Sequence, residues 1–383
     1  MRFNDFDIDA FLSEYWQKQP VLIKNPWGAW TNPLEPDELA GLACEAEVES
    51  RLITQAGATW NVEDGPLPEA RFGRLGANGW TLLVQAVDHY VPAVAALIEP
   101  FRFIPNWRID DVMVSLAADG GGVGPHFDQY DVFLIQGLGK RRWQVGALCD
   151  ADTELLPHDD LRLLAHFEAT GEWVLEPGDI LYVPPGVAHN GVAVGDDCMT
   201  YSIGFRAPSR AELIADFADD LTADMAGDDR YGDPGLKRQT NPGEISAEAI
   251  SGLHAMITEK LGDPHAFARW FGGYNSTPKY PDIDWKPETP VETLQLRAMI
   301  ANGEPLNRNP ASRFSFIRQE AGEVLLFVDG GCFECTAETA AFAEALCAQD
   351  RITVDLQLTK SEPAMTLLAQ LINQGSAAFE ADD

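Results

Sequence analysis

Residues 120–146 read GGGVGPHFDQYDVFLIQGLGKRRWQVG and residues 176–191 read EPGDILYVPPGVAHNG, and these two stretches decide the fold. Short runs rich in Val, Ile, Phe, Tyr and Trp alternate in them with turn signals such as GLGK, EPGD and PPG. The same texture extends from about residue 110 to residue 205, and it is typical of an antiparallel sheet or barrel. The sequence therefore predicts a β-barrel over this part of the chain.

His126 and Asp128 are separated by one residue on a predicted strand, so their side chains should project from the same face. One imidazole and one carboxylate make two thirds of a facial triad for non-haem Fe(II), which leaves three metal positions open. A third ligand, another His, must then come from an adjacent strand. The tight turn at residues 184–186 should deliver His189 onto the barrel wall. The spacing of Gly120 and His126, and that of Gly178, Pro184 and His189, match the two half-motifs of cupin barrels.

A second His-x-Asp pair, His158 and Asp160, shows how little such a pair means alone. It lies in the polar stretch LLPHDDLRLLAH at residues 155–166, which has no strand pattern and no matching turn downstream. We therefore predict that this second pair binds no metal.

Fe(II) held by only three protein ligands needs a co-substrate, and 2-oxoglutarate can chelate it through its 2-oxo and adjacent carboxylate groups. The far carboxylate of 2-oxoglutarate then needs a cation, which the segment KRRWQVG can supply. Strand alternation places Arg141 on one face with Trp143 and Val145, and Lys140 and Arg142 on the other. The apolar face should look inward, so Arg141 is the candidate. The alternative is that all three cations lie at a solvated hairpin end.

With these motifs, the sequence resembles the ribosomal oxygenases of the JmjC and cupin-4 family, especially bacterial members that hydroxylate an arginine at C3 in a 50S ribosomal protein. The resemblance is carried by the two blocks above and by FLSEYWQKQPVLIKN at residues 11–25. It implies that His126, Asp128 and His189 bind Fe(II), that Arg141 and Ser115 bind 2-oxoglutarate, and that O2 is consumed.

The resemblance also implies a fold of mainly β plus α structure. It predicts a catalytic double-stranded β-helix at residues 1–207, a helical dimerisation region at 208–276 and a winged-helix-like α+β domain at 277–383. From the residues alone, the apolar stripes of two predicted helices, one beginning after Ser209 and one around Leu253, could pack within their own domain or form a homodimer interface. The resemblance favours the homodimer.

An arginine substrate needs anionic or hydrogen-bonding partners near the mouth of the site. Asp119, Tyr130 and Asp131 flank the metal motif and are the candidates. The competing interpretation is that they are turn residues or only support the metal ligands.

The chain has 27 Lys plus Arg against 60 Asp plus Glu, a formal net charge of −33. Such a surface repels nucleic acid and anionic membranes, and residues 277–383 hold only 8 basic against 17 acidic residues. A basic ribosomal protein would be attracted instead, and we expect it to be modified before it joins the ribosome. The acidic start of the chain and the absence of an apolar run of about 18 residues predict a cytoplasmic protein.

Three alternatives remain at the level of the sequence. The barrel could be a non-redox cupin isomerase or hydrolase that uses its metal on a small molecule. It could be a ligand-sensing cupin with a DNA-reading domain, against which the acidic C-terminal region counts. Finally, the same oxygenase could act on a histidine rather than on an arginine.

Overall fold

The computed structural model describes residues 2–380 except positions 5, 58, 224, 284 and 355–358. Contacts within the chain divide it into two compact units, Met1–Ala207 and Pro208–Asp383. The first unit contains the following helices and strands: α1 Ile8–Glu14, β1 Val21–Ile23, α2 Pro36–Leu42, β2 Ser50–Ala56, β3 Thr59–Asp64, α3 Glu69–Phe72, β4 Trp80–Val84, α4 Pro92–Ala95, β5 Ile109–Ala117, β6 Asp131–Leu148, β7 Gly171–Leu175, β8 Ile180–Val183 and β9 Val187–Phe205.

The strands of this unit form one antiparallel sheet in the order β1-β8-β6-β9-β5-β4-β2-β3, with β7 also paired to β6. The long strands β6 and β9 pair along most of their lengths, and their register shifts near Leu138 and again after Val145. These shifts let β6 pair with β8 through its first half and with β7 through its second half. The barrel predicted from residues 110–205 is confirmed. The sheet also includes β2, β3 and β4, which the sequence analysis did not predict.

The two faces of β6 contact different hydrophobic cores. Phe133 and Ile135 belong to a large cluster outside the barrel, whereas Val132 and Leu134 belong to a smaller cluster inside it. Helix α1 covers the outer cluster with Phe11, which is 2% exposed. Burial of such a phenylalanine stabilises the fold by about 1.5–3 kcal/mol.

The second unit is mixed α and β. Its elements are α5 Arg210–Ala223, α6 Ala247–Leu261, α7 Pro264–Ser276, α8 Thr293–Ala301, β10 Pro305–Arg308, β11 Phe314–Arg318, β12 Val324–Val328, β13 Gly331–Cys335, α9 Ala340–Ala348, β14 Arg351–Thr353, α10 Glu362–Asn373 and β15 Ala377–Phe379. The strands form two small sheets, β14-β10-β15 and β11-β12-β13. None of the helices in the described part of the chain is long and apolar enough to cross a membrane.

The predicted helix after Ser209 is present and begins with a reciprocal cap. The backbone N–H of Ser209 donates to the Glu212 carboxylate at 2.7 Å, and the Glu212 N–H donates to Ser209 Oγ at 3.1 Å. Its apolar Phe217 packs against Phe267 and Trp270 of α7, a helix that the sequence analysis missed. The sequence signal for α7 was Asp263 followed by Pro264, a side-chain cap with proline in the first turn.

The apolar stripe of α6, by contrast, is not covered within the unit. Its exposed fractions are 54% for Ile250, 43% for Leu253, 60% for Ile257 and 40% for Leu261. Four apolar side chains exposed on one helix form the kind of patch that marks an interaction surface.

Candidate metal and co-substrate site

His126, Asp128 and His189 meet at one end of the barrel. Each offers one ligand atom, and the three ligand atoms lie within 4.8 Å of one another. Asp128 Oδ2 is 3.9 Å from His126 Nε2 and 3.6 Å from His189 Nε2. Among the residues that the structure describes, this is the one group of three or more such side chains that could hold a metal ion. Two imidazoles and one carboxylate on one side of an ion are the donor set of non-haem Fe(II) oxygenases.

Backbone pairing brings the two histidines together. The N–H of His126 donates to the carbonyl of His189 at 3.0 Å, and the N–H of His189 donates back at 2.8 Å. Gly186, with φ of +77°, turns the chain so that its N–H donates to the Asp128 carbonyl at 2.7 Å. The predicted strand at His126 is an isolated β-bridge flanked by loop, because the pairing stops after that single residue pair. The side chains of His126 and Asp128 nevertheless project to one side of the chain. The side chain of Phe127 projects to the other side and packs against Leu164.

Each histidine is oriented through its second ring nitrogen. Nδ1 of His126 lies 2.8 Å from the carbonyl of Gly124, and Nδ1 of His189 lies 3.0 Å from that of Val187. Nδ1–H donation to a carbonyl leaves Nε2 unprotonated and free to bind a metal. Burial, reinforced by the nearby His126, lowers the pKa of His189 to about 4, so its imidazole is neutral at physiological pH.

The second pair, His158 and Asp160, lies in a loop and is not part of the metal-ligand group found among the described residues. Nδ1 of His158 accepts hydrogen bonds from the N–H groups of Asp160 and Leu161 at 3.0 and 3.1 Å. This histidine therefore stabilises its own turn.

Arg141 lies on the inward face of β6, as strand alternation predicts. Its residue exposure is 3%, and that of Trp143 and Val145 is 4% and 3%, whereas Lys140 and Arg142 are exposed. The Arg141 Nε–H donates to the sulfur of a residue on β9, Cys198, at 3.4 Å.

Two buried nitrogens on this face have no hydrogen-bond partner among the described residues, namely Nη2 of Arg141 and Nε1 of Trp143. A buried guanidinium without a carboxylate is costly, so this site fits an anionic ligand. The far carboxylate of 2-oxoglutarate has the charge and the acceptor oxygens that the guanidinium requires.

A chain of hydrogen bonds connects three polar side chains to Cys198, the residue that contacts Arg141. Ser115 is 4% exposed, and its hydroxyl lies 3.5 Å from the carbonyl of Thr200. The Thr200 hydroxyl donates to Gln136 Oε1 at 3.2 Å, and Gln136 Nε2 donates to the sulfur of Cys198 at 3.5 Å. Ser115 is predicted only by the family resemblance, and no sequence pattern predicts Gln136, Thr200 or Cys198.

The three substrate candidates lie in different environments. Asp119 is exposed and accepts a hydrogen bond from the N–H of Gly195 at 2.7 Å, so it secures a loop as well as presenting a carboxylate. Tyr130 is 42% exposed. Burial around its hydroxyl, together with the carboxylates of Asp128, Asp111 and Asp110, raises the pKa of Tyr130 above its usual value. Its hydroxyl is therefore a neutral donor or acceptor beside the metal ligands.

Asp131 does not fit the expectation that it contacts substrate. It is 0% exposed, and its carboxylate accepts hydrogen bonds from Arg108 at 2.9 Å, from Tyr182 at 2.5 Å and from Gln17 at 2.9 Å. It shares the outer face of β6 with Phe133, because side chains alternate along the strand. The carboxylate therefore holds the N-terminal segment against the barrel.

Comparison with known proteins finds three matching domain families and relatives that span nearly the whole chain. Residues 96–213 match the JmjC domain, residues 259–378 the ROXA-like winged helix and residues 166–266 the AraC-like ligand binding domain. The ribosomal protein uL16 3-hydroxylase of Escherichia coli is 38% identical over 372 residues, 97% of each chain. The "Probable ribosomal oxygenase" of Haemophilus influenzae is 38% identical over 280 residues, which cover 69% of this chain and 66% of that protein.

The chain is also similar in structure to a solved ribosomal oxygenase. The X-ray structure of E. coli YcfD has a TM-score of 0.90 and 37% identity, and the match covers 99% of this chain and 100% of that chain. The structure of the E. coli ribosomal oxygenase YcfD in complex with cobalt and 2-oxoglutarate has a TM-score of 0.87 and 36% identity, covering 99% of both chains.

Proposed function

Because the chain belongs to the JmjC-type ribosomal oxygenases, we propose that it hydroxylates an arginine side chain at C3 in a protein of the large ribosomal subunit. It is a 2-oxoglutarate-dependent dioxygenase. One observation carries the assignment: a three-ligand metal group and the partnerless Nη2 of a buried arginine, Arg141, belong to the same barrel.

The proposed roles rest on contacts for the three metal ligands and Arg141, and on the family resemblance for Ser115. His126, Asp128 and His189 would hold Fe(II), while Arg141 and Ser115 would hold 2-oxoglutarate. When bound, Fe(II) and 2-oxoglutarate supply the chemistry that inserts one atom of O2 into a C–H bond and leaves succinate and CO2.

The protein contributes orientation and exclusion of water. The inward face of β6 is dry, because Trp143 and Val145 are each less than 5% exposed, and the ring of Trp143 lies 5.9 Å from that of His189. In such a site the Arg141 guanidinium fixes one end of the co-substrate more strongly than it could in water. The reacting carbon of the substrate must then be held at the open end, since position decides which C–H bond reacts.

Carboxylates near the metal ligands support a cationic substrate side chain. Asp119 is exposed at the barrel surface, and Tyr130 lies close to the carboxylates of Asp110 and Asp111. An arginine guanidinium pairs with carboxylates through two parallel hydrogen bonds, which gives direction as well as affinity. We assign Asp119 and Tyr130 to substrate binding, and we no longer include Asp131 because its carboxylate is buried in internal contacts.

The net charge of −33 supports a basic protein as the substrate and argues against direct contact with nucleic acid. Modification would therefore precede ribosome assembly, in the cytoplasm. Equal turnover on intact ribosomal subunits and on the free protein would contradict this order of events.

We propose that the chain forms a homodimer through its helical region at residues 208–276, ahead of a winged-helix-like domain at 277–383. The exposed Ile250, Leu253, Ile257 and Leu261 of α6 support this proposal, because an apolar stripe that its own unit leaves uncovered gains stability from a second copy. Sedimentation of the full chain tests it, and a strictly monomeric protein would contradict it.

The decisive experiment measures succinate formation from 2-oxoglutarate by the Fe(II)-loaded chain, with and without a large-subunit ribosomal protein, and the mass of that protein. We expect stimulated turnover and an increase of about 16 Da on an arginine, as one oxygen atom is inserted. Turnover should be lost in His189→Ala and retained in His158→Ala, the matched control from the second His-x-Asp pair. Hydroxylation of a histidine would change the substrate residue, and metal-dependent activity without 2-oxoglutarate would favour a non-redox cupin enzyme.

A further inference from the structure

We propose that Cys198 is a positioning residue, which holds the Arg141 guanidinium so that the barrel selects co-substrates by chain length. The sulfur of Cys198 accepts the Nε–H of Arg141 at 3.4 Å, and it is the only acceptor found for that guanidinium among the described residues. The proposal rests on the proposed function, since it assumes that Arg141 binds the far carboxylate of 2-oxoglutarate.

Cys198 itself cannot move easily. It is 0% exposed and packs with Ala117 and Ala193 in a small cluster of its own. Its sulfur accepts a second hydrogen bond from Gln136, whose amide also donates to the Leu138 carbonyl at 2.6 Å. The sulfur is therefore a fixed acceptor, and its hydrogen bond holds the Arg141 guanidinium in one position.

The contact with sulfur also decides which edge of the guanidinium remains available. A guanidinium can bind a carboxylate through its Nε and Nη atoms or through its two Nη atoms. In this site Nε is engaged by Cys198, while Nη2 has no partner in the described part of the chain. The terminal Nη edge is thus the one presented to a ligand.

Because the Arg141 guanidinium and the metal ligands are both fixed, the distance between them sets the length of the dicarboxylate that the site can bind. The histidine ligands are held by the paired backbone at residues 126 and 189, and Arg141 is held by Cys198. A dicarboxylate one methylene longer than 2-oxoglutarate should therefore fit poorly, since one extra methylene in a closed pocket costs roughly 10- to 200-fold in discrimination. Without the sulfur contact, Arg141 could retreat and admit the longer ligand.

The test compares the affinity of the full-length, Mn(II)-loaded chain for 2-oxoglutarate and for 2-oxoadipate by titration calorimetry, without turnover. We expect Cys198→Ala to bind 2-oxoglutarate about tenfold more weakly, because the Nε–H loses its buried acceptor. The preference for 2-oxoglutarate over 2-oxoadipate should also narrow in this variant. Cys198→Ser keeps an acceptor and should restore both affinity and preference to within about threefold of the wild type.

Cys347→Ala is the matched control, because Cys347 is a buried thiol of the other unit. It should leave both affinities unchanged. Unchanged affinity and preference in Cys198→Ala would overturn the proposal, as would equal weakening of both ligands in the Ala and Ser variants, which indicates packing alone. Should Cys198→Ala fail to fold, a wild-type chain that binds both ligands equally would be sufficient to reject it. Failure of the wild type to bind 2-oxoglutarate at all would instead contradict the proposed function.

Discussion

Arg108 and Arg141 are both largely buried in the first unit, yet they lie in opposite electrostatic environments. The Arg108 guanidinium donates to the Asp131 carboxylate at 2.9 Å and lies 5.4 Å from the ring of Trp16. The Arg141 guanidinium contacts the sulfur of Cys198 rather than a carboxylate, and it lies 5.7 Å from the ring of Trp143. The first arginine has its counter-charge within the protein, whereas Nη2 of the second has no partner among the described residues.

This difference separates a structural ion pair from a binding site. Burying a charge is costly unless it is paired, and a fold can tolerate an unpaired one where a ligand supplies the missing charge. Arg108 thus pairs with Asp131 on the outer face of β6 and supports the architecture, whereas Arg141 on the inner face is the one we propose for co-substrate binding.

The largest effect should follow from removing the paired arginine. Arg108→Met leaves the Asp131 carboxylate in a buried position without its cation, which should lower the free energy of unfolding by about 3–5 kcal/mol. Denaturant unfolding measures this change. Arg141→Met is the matched control, and it should leave the ligand-free protein about as stable as the wild type or more stable. Equal losses in both variants would remove the distinction between the two arginines.

The second effect concerns ligand affinity. Arg141→Met should weaken 2-oxoglutarate binding about 100-fold, because truncating one partner of a buried charge pair costs several kcal/mol. Calorimetric titration of the Mn(II)-loaded protein gives the dissociation constant. Arg108→Met, measured where it remains folded, should keep the wild-type value, and a comparable loss in that variant would contradict the assignment.

A third difference between the two arginine variants should appear in their thermal stabilisation by 2-oxoglutarate. At a concentration of ten times the dissociation constant, 2-oxoglutarate should stabilise the metal-loaded wild type by about 1.4 kcal/mol. The thermal midpoint should rise accordingly in the wild type and in Arg108→Met but not in Arg141→Met. A rise of equal size in Arg141→Met would place the ligand elsewhere.

The smallest effects are expected at the two cations beside Arg141 in sequence. Lys140 is exposed and pairs with Glu176 at 2.5 Å, and Arg142 is exposed. Replacing either with Ala should change the free energy of unfolding by less than about 1 kcal/mol, since exposed ion pairs contribute little. Their 2-oxoglutarate affinity should stay within about twofold of the wild type. A large loss of affinity in Lys140→Ala would mean that Lys140, rather than Arg141, binds the far carboxylate of 2-oxoglutarate.

The metal ligands could be predicted from sequence because local turns position them. The turn at residues 184–186 and the glycine-rich stretch before His126 are short-range signals, and each places one histidine on the barrel wall. Arg141 could be predicted for a similar reason, because the apolar residues Trp143 and Val145 follow it on the same face of the strand within four residues.

Gln136 and Cys198 could not be found in this way. Gln136 and Arg141 are five residues apart, so simple alternation assigns them to opposite faces, yet both donate to the same sulfur. The register shift around Leu138, with Gly139 at φ of +59°, resets the alternation between them. The prediction that Asp131 contacts the substrate rested on its closeness to Asp128 in the sequence. Closeness in sequence does not determine the face of the sheet on which a side chain lies, and the Asp131 carboxylate is buried.

Two backbone hydrogen bonds between residues 126 and 189 align the histidines that would bind the metal. Metal binding therefore depends on the correct register of β9. If β9 slipped by one residue, Ala188 or Asn190 would stand opposite His126, and neither offers an imidazole. A barrel misregistered in this way would also present the side chains of β9 on the opposite faces of the sheet. It would carry no tightly held iron, so the molar iron content of a reconstituted preparation counts the molecules whose strands are correctly aligned.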